Sequence, residues 1–226
     1  MSSKVNVIHN IHRCRPEIIK GFENQGSATV HEAMGRKGAV DPSIKPIAKG
    51  MRICGSAFTV QCNPRDNLML VKAISIAQPG DIIIADMGSN NNCGPFGEVL
   101  ATDCQARQLG GLAVTCGVRD SREIVEMGFP VFSNGLCIQG TMKNELGYIN
   151  SPINFGGVIV NPGDIVLGDD DGIVIVPRED TEKVLDASIA RVAKEEAVKA
   201  RLRAGESLFE IYGYQSTFDR LGGTEE

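Results

Sequence analysis

No tryptophan occurs in the 226 residues, and Phe and Tyr bring the aromatic share to only 5%. Surfaces that stack unpaired bases are built from aromatic rings, so there is little here to build one. Basic charge is short as well. Lys and Arg number 23 against 28 Asp and Glu, a formal net charge of −5. A nucleic-acid footprint needs a clustered basic face, and an anionic substrate must be met by a local positive site rather than by the global field. No apolar run approaches the roughly 18 residues of a membrane span, and the opening MSSKVNVIHN does not have the order of a secretory signal. The seven cysteines (14, 54, 62, 93, 104, 116 and 137) include no CxxC pair, which points to reduced, mostly buried thiols. These absences lead to the expectation of a soluble cytoplasmic protein with no nucleic-acid and no membrane partner.

What is plentiful is glycine, 26 residues, with 42% hydrophobic content, enough for a full core. His9, His12 and Cys14 could gather a metal, although an ordinary N-terminal segment with incidental polar residues is the commoner case. Pro16 suits a helix first turn, so a helix is expected to Asn24, ended by Gly26. Ser27 is expected to cap a second helix, Ala28–Met34, whose His31 and Glu32 fit a solvated face. Gly55–Gln61 has strand composition. Asp66 is placed to cap a helix over Asn67–Ala77, with Leu68, Val71, Ile74 and Ala77 as its apolar stripe. Pro79-Gly80-Asp81 turns the chain into a buried strand, Ile82–Asp86, and the Gly/Asn-rich run Met87–Pro95 reads as a loop of the kind that carries function.

Gly97–Leu100 opens a helix that runs towards Gly110-Gly111, and Leu112–Thr115 reads as a buried strand. Arg119 and Asp120 then fall just past that strand's carboxyl end, where open α/β sheets commonly place ligands. Arg119 offers a planar fork suited to a carboxylate. Asp120 offers oxygens suited to a hard divalent cation, and the amides at Gly97–Leu100 could hold an anion. On spacing alone, a surface Arg–Asp pair at a strand end is the commoner reading.

Further on, Ser121–Met127 reads as a helix, and Pro130–Ser133 and Leu136–Gln139 as strand pieces, after which Gly156–Val160 leads to a turn. Pro162-Gly163-Asp164 repeats the earlier Pro-Gly-Asp device ahead of Ile165–Leu167. Asp169–Gly172 superficially suggests a calcium loop, but the remaining ligands are missing, and Asp-Gly between two apolar runs signals a hairpin. Glu179–Leu202 is a charged helix with Val184, Leu185, Ile189 and Val192 as apolar positions, and Ser207–Tyr212 is a shorter one. The order is that of a single α/β domain with a strand-rich second half.

In ATVHEAMGR (28–36), GSAFTV (55–60), DNLMLVKAI (66–74), PGDIII (79–84), FGEVLAT (96–102), GVRDSRE (117–123) and the hairpin to Pro177, the chain resembles the RraA-like family. Within it, the chain is most similar to the class II pyruvate aldolases acting on 4-hydroxy-4-methyl-2-oxoglutarate and 4-carboxy-4-hydroxy-2-oxoadipate. Those aldolases carry an acid, twenty intervening residues, Arg-Asp, and an acid three positions later; Glu98, Arg119, Asp120 and Glu123 supply that pattern. The resemblance implies a single swivelling β/β/α domain over 1–226, with 179–226 a helical extension against a neighbouring subunit, in trimers or pairs of trimers.

It also implies Mg²⁺ or Mn²⁺ bound directly by Asp120, with Glu123 as a second metal residue. Arg119 and the backbone at Gly97, Val99 and Leu100 would hold the oxo-acid substrate. Glu98 or Glu123 would order the water that acts as base, and Glu195 (or Glu196) would reach in from a neighbouring subunit. The metal would act as Lewis acid without any lysine Schiff base, and oxaloacetate decarboxylation would accompany aldol cleavage. Two features depart from the family pattern: Glu98 stands where Asp is expected, and Asn90–Asn92 have no counterpart. The alternatives are a non-catalytic ribonuclease regulator of the RraA kind and another metal-dependent oxo-acid lyase on the same scaffold.

Overall fold

A computed structural model describes residues 5–88 and 92–226, so Asn90 and Asn91 of the Asn-rich loop lie outside the described residues. Helices α1 (Pro16–Glu23) and α2 (Ser27–Ala33) precede the short strand β1 (Lys45–Pro46). Strands and helices then alternate: β2 (Ile53–Gln61), α3 (Leu68–Ile76), β3 (Ile82–Asp86), α4 (Glu98–Ala106), β4 (Gly111–Val114), α5 (Ser121–Met127) and β5 (Val131–Ser133). The second half is strand-rich: β6 (Tyr148–Ile149), β7 (Ile153–Phe155), β8 (Val158–Val160), β9 (Ile165–Asp169) and β10 (Gly172–Val176). It closes with α6 (Thr181–Arg203), α7 (Leu208–Ile211) and α8 (Gln215–Arg220).

One eight-stranded sheet runs β1-β5-β4-β3-β2-β9-β10, with β6 beside the end of β2. Strands β2 to β5 are parallel, while β1, β9 and β10 join antiparallel. The sheet curls until its ends meet, since Lys45 of β1 donates to the carbonyl of Asp171 in the β9–β10 turn. A nearly closed, barrel-like sheet results. Strand β3 is apolar from Ile82 to Ala85 because both of its faces are buried. Ile82 and Ile84 face the barrel interior with Phe132, Phe155 and Val166, whereas Ile83 and Ala85 face the helix layer with Leu70, Phe96 and Leu112.

The two Pro-Gly-Asp segments form the same device. Gly80 (φ 82°) and Gly163 (φ 89°) take the left-handed position of a turn. In each, the Asp carboxylate accepts the N–H three residues back, Gln78 to Asp81 and Asn161 to Asp164, both at 2.8 Å. Arg13 completes the first with a bidentate pair at 2.7 and 2.8 Å. The hairpin also holds, with Asp169 opposite Gly172 and Asp170-Asp171 as its loop.

Several expectations need correction. Gly26, not Ser27, occupies the α2 cap; the Ser27 hydroxyl and N–H instead donate to Asp169 at 2.6 and 2.8 Å. The buried face of α3 is Met69, Leu70, Ala73 and Ile74, one step round from the expected stripe. Leu136–Gln139 forms no strand: Leu136 bridges Val118, and Gln139 accepts from Gly94, so the segment's bonds are divided between two loops. On α6, Val184 and Leu185 are buried, but Ile189 (52% exposed) and Val192 (38%) are not. Helix α8 was not foreseen. The cysteines are free thiols, most of them buried, as expected. Among the described residues no helix is long and apolar enough to cross a membrane.

Burial pushes the thiols of Cys54, Cys62 and Cys104 up to about 12 and raises that of Cys116 as well. A raised pKa removes thiolate, the reactive form. At pH 8, iodoacetamide is therefore expected to leave Cys62, Cys104 and Cys116 unmodified in the native protein and to label them after unfolding. Mass spectrometry showing full native labelling of all three would contradict this packing.

Candidate active site

Beyond β4 the chain must turn between two other segments. A Cβ at Gly117 would lie 2.8 Å from the Cβ of Cys137. Arg119 is then fixed by its N–H, which donates to the Phe96 carbonyl at 3.0 Å. Asp120 follows in the left-handed region, φ 51° and ψ 38°, at the start of α5. Asp is among the few residues that tolerate it. Its side chain does not cap α5. The carboxylate is instead aimed at the start of α4, where the Glu98 N–H donates to Oδ2 at 3.1 Å. This approach explains Gly97, because any Cβ there would collide with that same oxygen.

The neighbouring cleft, about 250 Å³, is lined by Asn67, Val71, Pro95, Gly97, Val99, Leu100, Arg119, Asp120 and Lys143. Arg119 Nε lies 3.8 Å from Asp120 Oδ2, with side chains 47% and 42% exposed. At that distance and exposure the pair neutralises itself only weakly. Both heads remain available to a ligand, and the first amides of α4 add a positive end.

The structure places Gly97, Val99, Leu100, Arg119 and Asp120 around this one cleft. Glu98 contributes its backbone N–H, while its side chain is exposed outside the cleft lining. Glu123 is exposed on the first turn of α5 and does not line the cleft. Glu195 lies on α6, where Arg191 Nε meets it at 2.8 Å, and it does not line the cleft of its own chain. His9 and His12 are exposed and apart from buried Cys14, whose thiol donates to the Gly163 carbonyl. Sequence reasoning missed Lys143, which sits in coil with no motif around it. It also missed Asn67, read as the first residue of a helix, and Val71, read as part of that helix's apolar stripe.

Among the described residues no group of three or more His, Cys, Asp or Glu could hold a metal ion. One carboxylate in the cleft, with Oδ1 accepting no hydrogen bond among the described residues, is a poor set for a soft or fully protein-caged ion. It fits a hard cation such as Mg²⁺, which keeps several waters and takes the rest of its ligands from substrate.

A family model described as RraA-like, Aldolase/RraA, matches residues 27–175. A Halalkalibacterium halodurans protein named "Putative 4-hydroxy-4-methyl-2-oxoglutarate aldolase" is 31% identical over 181 residues, covering 80% of this chain and 86% of that protein. Among solved structures, an uncharacterized Pseudomonas syringae protein aligns with a TM-score of 0.79 at 23% identity, covering 88% of this chain and 98% of that one. Streptomyces coelicolor RraAS2, described as an unusual member of the RNase ES inhibitor RraA protein family, aligns with a TM-score of 0.76 at 24% identity, covering 84% and 99%. These two likenesses show a shared fold, and the family match spans the strands and helices that form the cleft, so this chain belongs to the RraA-like (Aldolase/RraA) family.

Proposed function

We propose that the chain is a divalent-metal-dependent pyruvate aldolase. Its substrate would be 4-hydroxy-4-methyl-2-oxoglutarate or 4-carboxy-4-hydroxy-2-oxoadipate, with oxaloacetate decarboxylation as an accompanying activity. The observation that carries this reading is the meeting of a half-exposed Arg119 and Asp120 with the start of α4 in one cleft. The name of the H. halodurans relative supports the same class. A ribonuclease regulator acting through protein contacts has no need of such a pairing.

In both reactions the C3–C4 bond breaks and its electrons pass to the 2-oxo group, leaving the enolate of pyruvate. Arg119 would take the C1 carboxylate through its planar fork. The Val99 and Leu100 amides would face the oxygen on which charge develops, where preorganised donors act most strongly. Asp120 would hold Mg²⁺ or Mn²⁺, which when bound supplies Lewis acidity at the 2-oxo group. Glu98 and Glu123, in the first turns of α4 and α5, are the carboxylates we assign to proton removal at the C4 hydroxyl through solvent. Lys143 is a second cation in the cleft and would receive the distal carboxylate. We further propose that α6 packs on a neighbouring subunit of a homotrimer or homohexamer. Its exposed Ile189 and Val192 would be covered there, and Glu195 would be carried to that subunit's cleft.

Pyruvate release from each substrate, with and without Mg²⁺ after chelation, tests the activity. Asp120→Asn keeps a residue that tolerates the left-handed backbone but removes the charge. It should lower kcat/KM by about 10³-fold and abolish metal dependence while leaving a folded oligomer. Near-normal turnover at saturating Mg²⁺ would sink the site.

Arg119→Lys and Lys143→Met should separate the two ends of the substrate. The first should slow aldol cleavage, decarboxylation and the exchange of pyruvate methyl protons in D₂O alike. The second should raise KM for the dicarboxylates by about tenfold and affect pyruvate exchange far less. Equal effects of Lys143→Met on all three would remove Lys143 from its assigned role.

For Glu195, mixing inactive Glu195→Ala and Asp120→Asn subunits should restore activity, since a mixed oligomer can pair an intact Asp120 with an intact Glu195. No recovery after verified subunit exchange would place the whole site within one chain.

A further inference from the structure

Lys143 lies in an exposed coil, yet the backbone on both sides of it is held. Met142 donates to the Arg65 carbonyl at 2.8 Å and accepts from the Asn67 N–H at 3.0 Å. Beyond the lysine, the N–H groups of Asn144 and Glu145 donate to Asp66 Oδ2 at 2.5 and 3.2 Å. The other oxygen of Asp66 accepts the Leu68 N–H at 2.9 Å, at the start of α3. Asp66 is only 3% exposed. It is a buried carboxylate that forms no ion pair among the described residues and is met by backbone amides.

Asn67, 5% exposed, lines the cleft and donates through Nδ2 to the Pro95 carbonyl at 2.7 Å, two residues before the Gly97 cap of α4. Its Oδ1 is buried and meets no donor among the described residues. Arg65, just before the pair, is held at φ 62°, a conformation that bulky residues rarely adopt. An unmet buried acceptor beside a bulky residue at positive φ is a poor choice for stability alone. Such features concentrate where geometry serves function.

We infer that Asp66 and Asn67 are the positioning residues of the cleft, Asp66 fixing Lys143 and Asn67 fixing the approach to α4. Two consecutive residues thereby set the distance between the cation that takes the distal carboxylate and the helix end that faces the reacting half. The inference rests on the proposed aldolase reading only for its kinetic signature.

Asp66→Ser is the informative variant. Serine can still accept the Leu68 N–H two residues on, but it is too short to reach Asn144 and Glu145. Amide hydrogen exchange should rise by about tenfold or more at Asn144 and Glu145, with β2 and α3 unchanged. KM for 4-hydroxy-4-methyl-2-oxoglutarate should rise by about tenfold with kcat nearly kept. On a Lys143→Met background the variant should add nothing further, because it acts through that lysine. Asn67→Ala should instead slow pyruvate methyl exchange, the signature of the reacting half.

Protected Asn144 and Glu145 amides, full additivity with Lys143→Met, or a fall in kcat with KM unmoved would overturn the inference. If Asp66→Ser does not fold, Asp66→Asn, which puts an NH₂ group where one acceptor stood, is read by the same measurements. If the wild-type protein turns over no oxo-acid, the function reading fails by itself. Amide exchange, together with the acylation rate of Lys143 by a succinimidyl ester in wild type and variant, then decides the positioning role.

Discussion

The contact between the Glu98 N–H and Asp120 Oδ2 joins the start of one helix to the start of the next, and the local structure is arranged to permit it. It requires Asp120 in the left-handed region, at a cost of about 1–2 kcal/mol, and no side chain at position 97. A hydrogen bond to a charged acceptor contributes about 1.5–3 kcal/mol, so the strain is offset locally. What remains is a carboxylate held half-exposed at the cleft, with its second oxygen free of hydrogen bonds among the described residues. The same side chain could have capped α5, as Asp usually does at that position. That it does not is the clearest sign that its direction is selected for something other than helix stability.

The sheet delivers these two helix ends to one place. Because β3 and β4 are adjacent and parallel, their carboxyl ends lie side by side, and α4 and α5 begin from neighbouring positions. The strands can be buried on both faces only because the barrel interior covers one face and α3, α4 and α5 cover the other. The helix layer therefore fixes the site as well as the core. Phe96 packs in that layer while its carbonyl accepts from Arg119, so a core residue sets the height of a cleft residue.

Most of this was legible in the sequence where backbone chemistry is local. Pro-Gly-Asp announced two turns and Asp-Gly a hairpin. The apolar run Ile82–Ala85 announced a strand covered on both sides, and the Arg119-Asp120 pair fell at a strand's carboxyl end. What was not legible depends on distant partners. Ser27 reads as a helix cap until Asp169, 142 residues away, takes its hydroxyl. The α3 stripe is displaced because Val71 belongs to the cleft, a demand that helical periodicity cannot register. Lys143 carries no pattern at all, since its place is set by Asp66, 78 and 79 residues before the amides it holds. The charged stretch of α6 was ambiguous for a related reason: Ile189 and Val192 are apolar, yet a single chain covers them only in part.

Charge explains why such a cleft needs all of its positive parts. The chain is net negative, so its overall field does not attract a dicarboxylate, and the attraction must be local. Arg119 and Lys143 supply two positive charges, Asp120 cancels one, and the amides of α4 add a fraction of another. That balance falls short of a doubly charged substrate. A divalent cation on Asp120 would reverse the shortfall and would turn the one carboxylate in the cleft from a repulsive neighbour into an anchor. The small aliphatic oxo-acids proposed as substrates would be held by charge and backbone amides and would make no demand for stacking, in a chain that has no tryptophan and few other aromatic rings.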